Sequence, residues 1–379
     1  MKILWSGPNV SEWALEHRPG DAAAAKWSYG LMTGLSRFAE LSAVTQVRER
    51  CWPKGDVLWR RHDARLHPSE WPCRSVPYPC LYKVRDFWTR FAYPVVAKRM
   101  MDEERFDAVL LYNSLYPHQV SVMKEAAKRG IPSFPIILDG DDPRKDNWAK
   151  IVADTRFAKG VVFLSSWAAE NYPVRKPVLH MDGAADRFNG LPPDGRGSSW
   201  RPTFVHTGAL DKWRGLRFMD AVAHRLAEVR PDIRIVLCGK LTADERAHFD
   251  GLDNVEYRGF VTEQELSEIC GNADGFLNVR DPDVGDNILN YPSKVPQYLS
   301  WGRPIISTWI DSFSKDYRDV LCVNDDNTLE SFVRKVVEVC GWGDGERLAH
   351  FNKVKTWFES NKLWPVQAKR LCGWIKENL

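Results

Sequence analysis

Short apolar runs that end in glycine or a polar loop, each followed by a helical pattern, recur along the chain, and this alternation most limits its fold. In the first half the runs fall at 2–7, 44–47, 106–112, 133–138 and 161–164, with helical patterns at 22–41, 83–105, 119–129 and 167–171. The alternation restarts after a stretch dense in Gly, Pro and Ser at 189–202. Strands are then expected at 203–207, 233–238, 255–257, 275–279 and 304–308. Helices are expected at 216–229, 263–271, 293–301, 329–339 and 345–379, the last interrupted near Pro365. Near-continuous apolar strands mark a parallel sheet covered on both faces by crossover helices. Pro94 should kink or break the helix at 83–105, because proline lacks an N–H and crowds the preceding turn. Residues 51–80, rich in Pro, Trp and Arg, are not assigned.

A chain of 379 residues exceeds one typical domain. The pattern therefore reads as α/β, with two Rossmann-like domains facing a cleft and C-terminal helices packing back on the first domain. The expected divisions are an N-terminal Rossmann-like domain at 1–188, a linker at 189–202, a C-terminal Rossmann-like domain at 203–355 and a returning helix at 356–379. A net charge of +3 argues against a nucleic-acid partner, which needs a concentrated basic surface. None of the eight cysteines forms a CxxC pair, and no Cys/His group has zinc spacing. Reduced thiols in a cytoplasmic protein are expected. The N-terminal apolar run is too short for a signal peptide, and no stretch approaches the ~20 apolar residues of a membrane span. The protein is expected in the cytoplasm, or peripheral at the inner face of a membrane.

The chemistry concentrates in residues 278–308, where a strand, a loop rich in Asp and Asn, a helix and a second strand follow one another. Pro292-Ser293 opens the helix and Lys294 stands in its first turn. Helix starts leave N–H groups unpaired, and the dipole there favours an anion such as phosphate. A Ser hydroxyl and a Lys ammonium add a donor and a charge. The alternative is a plain Ser cap beside a solvated lysine.

The stretch Tyr291-Pro292-Ser293-Lys294, continuing through Gln297, Tyr298, Gly302 and Pro304 to Ser307, resembles the donor-site helix of GT-B glycosyltransferases. It is most similar to the large retaining group called family 4, whose members often read F-P-S-K-x-x-E-Y-L-x-x-G-x-P-V-I-S. Residues 182–188, 206–215, 236–239 and 254–261 resemble further elements of that family in the expected order. The resemblance implies transfer of a sugar from a nucleotide-diphosphate sugar to a glycan or lipid-linked acceptor, with retention of configuration. It implies that Gly208 lets the backbone approach the donor and that Lys212 and Arg214 neutralise its diphosphate. Gly239, Gly259, Phe260, Val261, Arg280, Asn290, Tyr291, Ser293, Lys294 and Gln297 complete the implied donor site. No cofactor and no chelated metal are expected, since basic side chains can neutralise the diphosphate. The chain departs from the family at its paired glutamates. Gln297 stands for the second and Leu289 for the first, with Asn287 or Asn290 as substitutes, and Ala209 replaces an arginine. These departures keep two other readings open: a nucleotide-sugar epimerase or hydrolase of the same fold, and a non-catalytic nucleotide-sugar-binding protein.

On the acceptor side, Asp139, Asp141 and Asp142 follow a strand end and could act as a general base or hold an acceptor sugar; the alternative is a capped acidic turn. Asn113 and His118 follow another strand end, and His17 lies in the first loop. Residues 78–101 mix six aromatic side chains with Lys83, Arg85, Arg90, Lys98 and Arg99, opposed only by Asp86. Such a segment suits either an anionic membrane surface or a core-packing helix with a solvated basic face.

Overall fold

Every pairing within the two main sheets is parallel. The computed structural model describes residues 1–8, 22–46, 51–53, 59–60, 71–113, 116–195, 200–211, 215–281, 288–323 and 326–379. Two compact units result. The first comprises Met1–Ala184, Leu289–Tyr291 and Trp364–Leu379, and the second Ala185–Ile288 and Pro292–Leu363.

The first unit runs β1 (Lys2–Gly7), α1 (Ala22–Leu35), β2 (Glu40–Thr45), β3 (Trp59–Arg60), β4 (Cys73–Ser75), β5 (Tyr78–Pro79) and α2 (Val84–Glu103). It continues through β6 (Ala108–Tyr112), α3 (Pro117–Lys128), β7 (Ser133–Ile137), α4 (Ala149–Asp154), β8 (Val161–Phe163), α5 (Ser166–Asn171) and β9 (Val178–His180). Its seven-stranded sheet has the order β4-β2-β1-β6-β7-β8-β9, so the direction of winding reverses between β1 and β6. Both strands at that reversal are almost wholly buried, which explains their unbroken apolar sequence.

Helix α1 stops at Leu35 rather than reaching residue 41, because Leu41 is needed in β2, where it pairs with Ile3. A helical window and a buried strand share the same apolar composition, and the sheet partner decides between them. Helix α2 runs unbroken across Pro94. Its buried side carries Thr89, Tyr93, Ala97 and Met100, so tertiary packing outweighs the one lost backbone hydrogen bond.

The second unit runs β10 (Thr203–Thr207), α6 (Leu216–Val229), β11 (Arg234–Cys238), α7 (Ala243–Ala247), β12 (Val255–Gly259), α8 (Glu263–Gly271) and β13 (Gly275–Asn278). Next come α9 (Val295–Leu299), β14 (Ile305–Ser307), β15 (Cys322–Val323), α10 (Leu329–Cys340) and α11 (Asp344–Asn361). The strand order is β12-β11-β10-β13-β14-β15, a Rossmann order whose reversal lies between β10 and β13. Phe204, Leu226, Ile235, Leu277 and Val336 centre its core. The last helix, α12 (Trp364–Glu377), belongs to the first unit. Trp364 meets Trp27 of α1 edge to face at 5.5 Å, and Trp374 meets Phe134 of β7 at 5.2 Å. Pro365 sits in the first turn of α12, where a missing N–H costs nothing, and the expected interruption falls at 362–363, between α11 and α12.

Candidate functional site

In open α/β sheets ligands sit beyond the carboxyl ends of the strands, at the reversal of strand order. In the second unit that place is the end of β10 and β13, and three features meet there. His206 of β10 is only 1% exposed. Its Nδ1 lies 2.9 Å from the carbonyl of Leu277, and its Nε2 lies 3.0 Å from the Lys294 ammonium. A carbonyl only accepts, so Nδ1 carries the proton and donates it, and Nε2 accepts from Lys294. Burial, and then the Lys294 charge, hold the imidazole well below the usual histidine range. A neutral histidine thus fixes a cation at the strand ends.

The second feature is Gly208, with φ at +89°. A Cβ built there would meet nothing nearer than the Lys294 Nζ at 4.0 Å, so open space and the ammonium share this turn. The third is Gly239, whose Cβ would lie 2.2 Å from the Gly208 carbonyl oxygen. Gly208 donates its N–H to Cys238 O at 2.7 Å, and Gly239 donates to Gly259 O at 2.8 Å. These two bonds stitch the ends of β10, β11 and β12 together. Tyr257 donates to Gly239 O and accepts from the Leu241 N–H, both at 3.1 Å. His206, Gly208, Leu210, Gly239, Leu241 and Tyr257 line a small pocket at these strand ends.

Helix α9 is shorter than its sequence pattern suggests, Val295–Leu299 rather than 293–301. Pro292, Ser293 and Lys294 form the turn before it, and a helix this short has little dipole to offer an anion. The cation, not the helix start, is what this turn supplies. It is held firmly: Tyr298 of α9 stacks on Phe276 at 4.4 Å, and its hydroxyl accepts the Thr207 N–H at 2.7 Å. Ser293 and Gln297 are exposed, and Arg280 is half-buried with its N–H on Thr308 Oγ1 at 3.0 Å. Gly259 turns the chain with φ at +66°, leaving the Phe260 ring 93% exposed beside Val261. Thr262 then starts α8 with a capping box to Glu265. Lys212, Arg214 and Asn287 lie outside the described residues, as does His17.

Asn290 and Tyr291 belong to the first unit, not with Lys294, and Leu289 is buried in the first unit's core. The Asn290 Oδ1 accepts the Gly140 N–H at 3.0 Å, so Asn290 braces the acidic turn. Asn113, at the end of β6 with φ at +47°, donates from Nδ2 to Asp139 at 2.6 Å. Its own Oδ1 is buried without a protein partner. A buried acceptor lacking a donor is costly, and a ligand hydroxyl would satisfy it. Asp139 and Asp141 are exposed, whereas Asp142 is 5% exposed and closed into an ion pair with Arg144 at 2.7 Å. The Arg144 guanidinium holds the Asp142 carboxyl below the usual range. With its oxygens occupied, Asp142 locks the turn and is not available as a base.

His118, in the first turn of α3, stacks with Tyr116 at 5.6 Å and lies 4.8 Å from the Tyr93 ring. Sequence reasoning missed the polar group beneath it. Tyr93 donates to Val44 O at 2.7 Å, and Ser6 donates to Gln119 at 2.6 Å, all buried at the end of β1. It equally passed over His206 as a site residue. The signal available was a histidine in an otherwise apolar strand, with Gly208 two residues on.

His206 and His350 make stability pH-dependent. Burial, then the Lys353 charge, push His350 down to about 4. Unfolded, both imidazoles take up a proton below about pH 6.5. Folded, they do so only at lower pH, so the unfolded state binds more protons in between. Stability is therefore full above about pH 6.5 and falls as pH drops below it, by about 1.4 kcal/mol per pH unit for His350 down to about pH 4, with His206 acting in the same direction. Urea unfolding across this window should show the slope, and His350→Gln should reduce it; a flat profile would contradict it.

No family model matches the sequence, and no curated protein matches it. Solved structures do match. The N-terminal domain of Candida albicans trehalose-6-phosphate phosphatase aligns at a TM-score of 0.71 and 9% identity, covering 100% of this chain and 97% of that one. An E. coli structure of trehalose-6-phosphate bound with UDP-2-fluoro glucose aligns at 0.67 and 10% identity, covering 100% and 99%. The lipopolysaccharide outer core galactosyltransferase WaaB aligns at 0.63 and 13% identity, covering 100% of both chains. The chain therefore has the GT-B fold of two parallel-sheet α/β domains. Among the described residues no helix is long and apolar enough to cross a membrane.

Proposed function

We propose that this chain is a glycosyltransferase of the hexosyltransferase type, moving a sugar from a nucleotide-diphosphate sugar to a glycan or lipid-linked acceptor with retention of configuration. The observation that carries the reading is the Lys294 ammonium held by neutral His206 beside the open Gly208 turn. The donor diphosphate would lie against Gly208 and Lys294, with Lys212, Arg214 and Arg280 adding charge and Ser293 a hydroxyl. Charge-assisted bonds of this kind stabilise the departing diphosphate, the role a metal performs in other transferases. Gly239, Gly259 and Val261 would frame the nucleoside, and the exposed Phe260 ring offers it a stacking face. Gln297 would meet the ribose. Asn113, Asp139, Asp141 and His118 would hold the acceptor side, with Asn290 and Tyr291 bracing it and Asp142 locking the turn. Cytoplasmic nucleotide sugars are the donors this reading requires.

A thermal-shift panel of UDP-, GDP-, ADP-, dTDP- and CMP-sugars tests it. One nucleotide is expected to raise the unfolding temperature, and its sugar to be released slowly without acceptor. No shift with any member would remove the donor assignment. Fast conversion of the donor alone would favour an epimerase or hydrolase instead.

A further inference from the structure

Helix α2 is apolar on two opposite sides, and among the described residues only one of them is packed into the fold. Thr89, Tyr93, Ala97 and Met100 recur at helical spacing and are buried. Val84, Phe87, Trp88, Phe91 and Val95 recur at the same spacing half a turn away, and all are exposed. Phe87 is 63% exposed, Phe91 61%, and Tyr82, just before the helix, 74%. A core-packing helix would bury these rings. Apolar side chains this large, gathered into one contiguous stripe, mark an interaction surface.

We infer that this stripe of α2 docks the protein on an anionic lipid surface. The rings are arranged for it. Phe87 and Phe91 pack against each other with centroids 5.1 Å apart, and Trp88 donates its indole N–H to Pro77 O at 3.1 Å. No indole donor therefore has to be stripped of water when the ring enters an apolar layer. The charge pattern names the partner. Lys83, Arg90, Lys98 and Arg99 are exposed on or next to α2, where long stems can lie on apolar surface and reach headgroup phosphates. Nearby acids are neutralised: Asp86 by Arg85 at 3.3 Å, Asp102 by Arg129 at 2.6 Å, and Glu103 by Arg74. A second copy of the chain is the poorer occupant, since pairing two such faces sets like charges against each other. An anionic bilayer accepts both the rings and the cations. Helix α2 lies in the first unit and the Lys294 cradle in the second, so failure here leaves the sugar-transfer reading standing.

Flotation of the full chain with vesicles is the test. The protein should float with vesicles of phosphatidylcholine and phosphatidylglycerol, and not with phosphatidylcholine alone. Phe87→Ser with Phe91→Ser should cut the bound fraction at least about tenfold, and Arg90→Gln with Lys98→Gln should do the same and remove the salt dependence. Both variants alter exposed positions, so their unfolding midpoints should match the parent, which separates lost binding from misfolding. Absence of binding to anionic vesicles, or binding unchanged in both variants, would overturn the assignment. So would a dimer in sedimentation equilibrium that the phenylalanine variant dissolves, since the stripe would then belong to a second copy.

Discussion

Lys294→Ala is expected to weaken binding of the preferred nucleoside diphosphate by at least about tenfold, equivalent to about 1.4 kcal/mol. Its ammonium is presented to the Gly208 turn on a rigid mount: one imidazole nitrogen bonded to Leu277 O, the other to Lys294, and α9 anchored through Tyr298. Removing the amine opens no cavity but leaves the buried His206 Nε2 without its donor, so stability should fall by about 1 kcal/mol. His206→Leu should behave differently. It leaves the buried Leu277 carbonyl without this partner, which costs about 1–3 kcal/mol, and it releases the ammonium from its fixed position. Both variants should lose diphosphate affinity, and the histidine variant, which strands a backbone carbonyl and releases the ammonium as well, should lose the more stability. Calorimetry of binding beside urea unfolding would separate the two. Unchanged affinity in Lys294→Ala would remove the diphosphate from this turn altogether.

Gly239→Ala is expected to destabilise the second unit by at least about 3 kcal/mol. Two costs add at one residue. The backbone sits at φ +148°, which L-residues rarely adopt, and the new Cβ would stand 2.2 Å from the Gly208 carbonyl oxygen. That neighbour is backbone tied to Cys238, so it cannot swing aside. Gly208→Ala provides the contrast. Its φ is also positive, but its Cβ would meet only the Lys294 amine at 4.0 Å. The strain alone should cost about 1–2 kcal/mol, while the methyl group intrudes where the donor would lie. Gly208→Ala should therefore fold and bind nucleotide poorly, and Gly239→Ala should be recovered largely unfolded. Equal stability of the two would show that strand-end crowding does not decide the geometry of this turn.

The donor turn shows how far local pattern reaches. Tyr291-Pro292-Ser293-Lys294 was legible as a unit because turn residues and a cation stand together before an apolar helix. The structure divides it. Leu289, Asn290 and Tyr291 pack with the first unit, and Pro292 onward with the second. No spacing rule reveals that, since neighbouring residues share a sequence context and not a core. Asp142 is a second case. An acidic turn reads the same whether its carboxylates are exposed or paired, and only the placement of Arg144 removes Asp142 from the chemistry.

Alternating apolar runs and helical stretches determined by themselves that the chain builds parallel sheets. Buried parallel strands must be apolar on both faces and must be joined by crossovers, and both demands are written locally. The glycines at 208, 239 and 259 likewise announced tight turns after strands. Tertiary structure alone decided which residues those turns face. It brought His206 against Lys294 across 88 positions of sequence, and it left the Phe87 and Phe91 rings in solvent while burying Tyr93 on the opposite side of the same helix. Periodicity records that a side chain is apolar. Whether another element covers it depends on distant parts of the chain, and that is set only when the whole core is assembled.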